Sequence, residues 1–283
     1  MIKKQVLIIA LGLSLVIGGV VCFEKSAAAE SKPIKLVSSA SGPDKKEEIN
    51  MKKLTVSKLK PGIWSLYDGE IRCFLFVGTE RALLLDTGFG EIRIDETVKE
   101  LTDLPIYVVN THTHPDHING DKYFKEIYVH PLGKNRVEHP KILTVTEGMV
   151  FDLGGLKLTV IELPGHTPDG IGLIDYDAGA IFAGDMIEFE NGTVRSIPGY
   201  INSIERILAL KDKITEIYPS HGACPVGMDL VPNLLELLQA MDRGELVGEP
   251  VHLVLSPDIS VDTFAYRYKG VSMFYNPKMG DWE

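Results

Sequence analysis

Residues 108–121 read VVNTHTHPDHINGD, and the order of residue types along them decides the fold. The apolar run Ile106-Tyr107-Val108-Val109 reads as a buried strand. His112, His114, Asp116 and His117 follow directly. On an extended segment His112 and His114, two apart, face the same side. Pro115 disfavours a helical conformation at His114 and turns the strand into a loop. One short loop can then offer two imidazoles to one metal, and a carboxylate with a third imidazole to a neighbouring metal. Neutral imidazole and carboxylate suit Zn²⁺, and also Fe or Mn.

Three later segments repeat the setting of an apolar run, a small or proline residue, and then a ligand type. His166 follows Leu158–Leu163, Asp185 follows Ala180–Ala183, and His221 follows Ile214–Tyr218. Strand ends are rigid, and several meeting at one sheet edge hold side chains in register. Singly, each of these residues reads as a cap or turn residue beside glycine. Together with the 112–117 cluster they read as one site.

HTHPDH, the later GHT, AGD and SHG segments and the upstream LLLDTG resemble the metallo-β-lactamase superfamily over roughly residues 55–225. The resemblance implies an α/β fold of four layers, an αββα sandwich with metals at one sheet edge. It assigns His112, His114 and His166 to a first metal, and Asp116, His117 and His221 to a second. Asp185 would bridge the two, and Asp86 would lie beneath the site as a buried supporting aspartate. A cysteine stands at the position of Asp185 in the β-lactamases that use one as a ligand. A bridging carboxylate is instead similar to glyoxalase II and lactonases.

The ligand set implies two Zn²⁺ per chain, with Fe or Mn as other occupants. Two metals about 3.5–4 Å apart share a hydroxide and lower the pKa of water to about 7. The expected function is a dinuclear metal-dependent hydrolase in which that hydroxide cleaves an ester, thioester, lactone or amide of a small molecule. Asp116 is the expected catalytic residue, holding the nucleophile and passing a proton to the leaving group. Two other reactions fit the same fold. One is a single-iron persulfide dioxygenase using His112, His166 and Asp185; the other is metal-dependent phosphodiester hydrolysis. A non-catalytic binding protein is disfavoured, because all seven ligand types are retained.

Composition sets the frame. With 45% apolar and 24% charged residues in 283, the chain reads as globular with a sizeable core. Its net charge of −10 disfavours nucleic acid as a partner. Residues 1–29 read as a signal peptide or N-terminal anchor: a basic start, the apolar run Val6–Phe23, then Ala27-Ala28-Ala29 before Glu30. An extracytoplasmic location is expected, with a route to the membrane if the segment is retained. Residues 30–53 read as a flexible linker rich in Ser, Lys and Glu. Residues 54–283 read as the metallo-β-lactamase-like domain.

Strands are expected at Ile63–Tyr67, Ile71–Val77, Ala82–Leu85, Ile106–Asn110 and Ile127–Val129. Hairpins are expected within 142–162 and 171–183 and around Lys269-Gly270, and helices at 92–101, 201–211 and 230–241. His130, His139 and His252 lack the strand-end setting and read as structural. Phe89, Met186 and Tyr200 read as core as readily as pocket wall. Cys73 and Cys224 read as a bridge or as two independent buried thiols.

Overall fold

The computed structural model describes residues 5–6, 54–256 and 259–278. The readings of residues 1–29 and 30–53 therefore lie outside the described residues, save for a two-residue strand β1 (Gln5–Val6).

Short apolar runs separated by turn residues build the first sheet. Its strands are β2 (Thr55–Lys60), β3 (Ile63–Tyr67), β4 (Arg72–Val77), β5 (Ala82–Leu85), β6 (Ile106–Val109), β7 (Ile127–Val129) and β8 (Ile142–Thr144), paired in that order. β2 to β5 are antiparallel; β5 to β8 are parallel. Helix α1 (Ile94–Leu101) is the crossover from β5 to β6.

The second sheet contains β9 (Val150–Asp152), β10 (Lys157–Glu162), β11 (Ile171–Asp175), β12 (Ala180–Gly184), β14 (Glu216–Pro219) and β15 (Val226–Gly227). Its order is β15-β14-β12-β11-β10-β9. β10 and β12 flank β11 antiparallel, and β14 runs parallel to β12. The chain therefore leaves β10, β12 and β14 at the same edge. Helices α3 (Ile197–Leu208) and α4 (Val231–Asp242) pack outside this sheet.

The strands read as unbroken apolar runs because both faces are buried. In β4, Phe74 and Phe76 face the second sheet, while Cys73 and Leu75 pack with Ile94 and Val98 of α1. In β12, Ala180 and Phe182 join the inter-sheet core, while Ile181 and Ala183 join the helix side. Period two thus sorts one strand between two cores. Phe182 is the hub: it stacks on Tyr218 at 4.7 Å and meets Phe74 and Phe76 edge-on at 5.0 and 4.6 Å.

The hairpin expected within 142–162 forms from β9 and β10, while β8 extends the first sheet, parallel to β7. Two expectations are corrected. α3 begins at Ile197 rather than Ile201. Ser196 caps it through Gly199 N at 3.2 Å, and Pro198 sits in the first turn, where its missing N–H costs nothing. The C-terminal hairpin is part of a third sheet, β1-β16-β17-β18-β13, which adds β13 (Gly192–Val194), β16 (Glu249–Ser256), β17 (Ile259–Tyr268) and β18 (Val271–Tyr275). Lys269 and Gly270 both take positive φ, 43° and 84°, the geometry of a tight two-residue hairpin. Cys73 and Cys224 are free thiols.

Candidate metal centre

The ligand types sit where strands end. His112 follows β6, His166 follows β10, Asp185 follows β12 and His221 follows β14. Pro115 opens a one-turn helix, α2 (Pro115–Ile118), that carries Asp116 and His117; His114 before it is extended, at φ −75° and ψ 150°. Gly184, before Asp185, has φ 56°, and a Cβ there would lie 2.5 Å from Thr111 Oγ1. Glycine at 184 thus lets the two ligand loops close on each other.

All seven residues converge as two groups whose donor atoms lie within 4.8 Å of one another: His112, His114, His166 and Asp185, and Asp116, His117, Asp185 and His221. Asp185 belongs to both. His112, His117, His166 and Asp185 are buried; His114, Asp116 and His221 are partly exposed and form the open side.

Four imidazoles are oriented from behind. His117 Nδ1 donates to Asp86 Oδ2 at 2.8 Å, His166 Nδ1 to Thr193 O at 2.9 Å, and His221 Nδ1 to Glu70 O at 2.9 Å. Thr111 Oγ1 gives its proton to Asp86 Oδ2 at 2.8 Å, so it accepts from His112 Nδ1 at 3.1 Å. Each ring therefore turns Nε2 toward the centre, the arrangement that fixes a metal-binding tautomer. His114 differs, with its Nδ1 lying 3.0 Å from His166 Nε2. Asp86 also accepts from Thr111 N at 2.7 Å, from a left-handed backbone with φ 64°, a conformation aspartate tolerates better than most residues.

The charges divide the groups. Burial, then the neighbouring His117, pushes the His112 pKa well below its ordinary value. Burial, then His166, takes His114 down to about 3, and burial lowers His166. In the second group burial opposes the charged form but is outweighed. Asp185, Asp86 and Asp116 raise His117 well above its ordinary value, and Asp185 and Asp116 push His221 up to about 10. Burial would likewise raise Asp185, but His117 and His221 hold it well below the carboxylate range.

The residues fit metal ions. His112 Nε2, His117 Nε2 and Asp185 Oδ1 are buried without a hydrogen-bond partner, although His117 Nε2 and Asp185 Oδ1 face each other at 3.3 Å. Buried polar atoms left unpaired cost about 1–3 kcal/mol each. One lies in the first group, one in the second and one on the Asp185 that both share, and cations held among these imidazole and carboxylate donors would satisfy them.

The remaining histidines stand apart from this cluster. His130 Nε2 meets Glu162 Oε1, His139 contacts the Phe124 and Lys141 carbonyls, and His252 pairs with Asp262. Met186 and Tyr200 are fully buried in the helix-side core, and Phe89 is half-buried. Sequence reasoning did not single out Thr111, Asp121 or Asp169. Asp169 Oδ2 accepts from Thr113 Oγ1 at 2.7 Å, linking the His166 loop to the residue between His112 and His114. Thr193 and Glu70 act through backbone carbonyls, which no residue type signals.

A family model described as the metallo-beta-lactamase superfamily matches residues 66–221, and the chain belongs to that superfamily. Among curated relatives, an atrochrysone carboxyl ACP thioesterase from Aspergillus fumigatus is 30% identical over 53% of this chain and 49% of its own length. A hydroxyacylglutathione hydrolase from Hyphomonas neptunium is 32% identical over 51% of this chain and 58% of its own. The chain thus spans about half the length of these relatives. The solved metallo-beta-lactamase from Pontibacter korlensis, at 23% identity and a TM-score of 0.58, covers 66% of this chain and 99% of its own; it shares the fold. Members of this superfamily use metal ions, and the two donor groups could hold them here. Among the described residues no helix is long and apolar enough to cross a membrane.

Proposed function

We propose that this protein is a dinuclear zinc hydrolase of small acyl compounds, with thioesters first among its substrates. One observation carries the reading: seven donor side chains form two groups that share Asp185. His112, His114 and His166 would hold one ion; Asp116, His117 and His221 the other. Bound there, the ions would supply Lewis acidity, lowering the pKa of water to about 7 and polarising a carbonyl oxygen. The names of the relatives, a thioesterase and a hydroxyacylglutathione hydrolase, support acyl transfer to water.

The chain's own groups do the rest. Asp86, Thr111, Thr193 and Glu70 hold four rings so that Nε2 faces inward. Asp116 stands on the open side, where its Oδ2 lies 3.2 Å from His221 Nε2. His117 and the His221 hydrogen bond outweigh burial and keep its carboxyl below the ordinary range. It is therefore ionised at neutral pH, able to take the proton of the attacking water and pass it to the leaving sulfur or oxygen. The partly exposed rim of His114, Asp116 and His221 is where substrate reaches the donors. The basic start, apolar run and alanine triplet at the N-terminus support a site of action outside the cytoplasm.

The test is metal analysis of the purified protein with a panel of thioesters, esters, lactones and phosphodiesters. Two zinc equivalents and thioester hydrolysis are expected, both lost on chelation. His114→Ala is expected to lower kcat/KM by at least about 100-fold with metal content reduced. One iron equivalent with oxygen consumption would replace this reading by persulfide oxidation.

A further inference from the structure

The family match ends at His221, well before the third sheet's strands β16 to β18. Yet that sheet reaches the metal centre. Its edge strand β13 carries Thr193, whose carbonyl accepts the His166 Nδ1 hydrogen bond at 2.9 Å. A three-residue strand has no stability of its own. Among the described residues its ladder partner is β18, with Gly192 opposite Met273, Thr193 opposite Phe274 and Val194 opposite Tyr275.

The approach is close and specific. A Cβ on Gly192 would lie 2.9 Å from Met273 Cε, 3.0 Å from its Sδ and 3.0 Å from Glu188 Cβ. Just before β13, Asn191 N donates to Ser272 Oγ at 2.9 Å, and Ser272 N donates to Phe189 O at 2.8 Å. Just after it, Arg195 N and Ser196 N both donate to Gly165 O, next to His166. β18 in turn is anchored by Val271 and Met273, buried in the core beneath α3 and α4. The path from the helix-side core to the His166 ring therefore runs through β18 and β13.

We propose that the C-terminal hairpin of β17 and β18 positions His166: by holding β13 it sets the Thr193 carbonyl against the ring, and so sets how tightly the first ligand group binds its metal. This rests on the reading of His166 as a metal ligand. Ser272, Met273 and Phe274 are positioning residues that touch neither metal nor substrate. Loss of an outer partner of a metal-binding histidine lowers affinity about 10- to 100-fold.

The experiment is a zinc titration of the full chain against a competing chelator, resolving two equivalents. It is accompanied by NMR of the hydrogen-bonded imidazole N–H protons. Gly192→Val, which crowds Met273 and Glu188 at the junction of β13 with β18, is expected to weaken one equivalent by about 10-fold or more and to leave the other within about twofold. The N–H signal of His166 should be lost or shifted while that of His117 persists. Ser272→Ala loosens the same junction without adding bulk, so a smaller weakening of the same equivalent is expected, and it decides the matter if Gly192→Val fails to fold. Arg267→Ala, on the β17 side that pairs with Glu249, should leave both equivalents unchanged. Wild-type affinity at both equivalents in Gly192→Val and Ser272→Ala overturns the proposal. So does parallel weakening of both equivalents alongside a lowered Tm of the metal-free protein. A wild-type protein that binds no zinc would instead overturn the metal reading itself.

Discussion

Asp121 is 3% exposed, and it takes a hydrogen bond at each oxygen, from Thr87 Oγ1 at 2.8 Å and from Asn110 Nδ2 at 2.7 Å. Burial outweighs these bonds and pushes its carboxyl up to about 7. The unfolded chain ionises the same group near 3.9. Stability therefore falls as pH rises from about 4 to about 7, and the whole penalty is present above that. Asp121→Asn should remove it. The new amide can accept from Asn110 Nδ2 with its oxygen and donate to Thr87 Oγ1 with its nitrogen, while the Thr87 hydroxyl gives its proton to His117 O at 3.0 Å. Relative to wild type the variant should be more stable by about 1–3 kcal/mol at pH 8 and nearly equal at pH 4; thermal melts at the two pH values check this. Equal Tm differences at both would show that the carboxyl is not held neutral. At this scale the seven donors were legible because His and Asp after apolar runs are uncommon and carry their chemistry in the side chain. Thr193 and Glu70 were not legible, because a carbonyl oxygen belongs to every residue.

At the scale of elements, the central strands were readable from composition alone. Ile63–Tyr67, Ala82–Leu85 and Ile127–Val129 fall where the apolar runs lie, since both of their neighbouring layers are dry. β2 and β13 were missed for the opposite reason. Most of β2 is exposed, and β13 is three residues long with a glycine at its head; neither presents an apolar pattern. β8 was not singled out within 142–162, because three apolar or β-branched residues do not say which sheet they join. Phe182 tests the inter-sheet layer directly. It is fully buried with three aromatic rings around it. Phe182→Ala should cost about 3–5 kcal/mol. Denaturant unfolding measures this, and a loss below about 1 kcal/mol would mean that the two sheets close over the gap.

For the molecule as a whole, the two ligand groups differ in what a metal must displace. His112, His114 and His166 have depressed pKa values and are neutral at pH 7, whereas His117 and His221 are raised and hold protons. Metal entering the second group should therefore expel protons, about two at neutral pH, and metal entering the first almost none. As pH falls the second equivalent should be lost first. Calorimetry in buffers of different ionisation enthalpy counts the protons; equal release by both equivalents would refute the division. The αββα layering was legible from the motif set, while the third sheet was only half visible, as the hairpin around Lys269-Gly270.

That layering has a consequence for how each molecule matures. The first ligand is residue 112 and the last is 221, and the carbonyl behind His166 is held by a strand ending at Tyr275. Contacts this distant in sequence form late. A chain synthesised only as far as β12 lacks His221 and cannot complete the second donor group, so loading of both ions must follow emergence of residue 221.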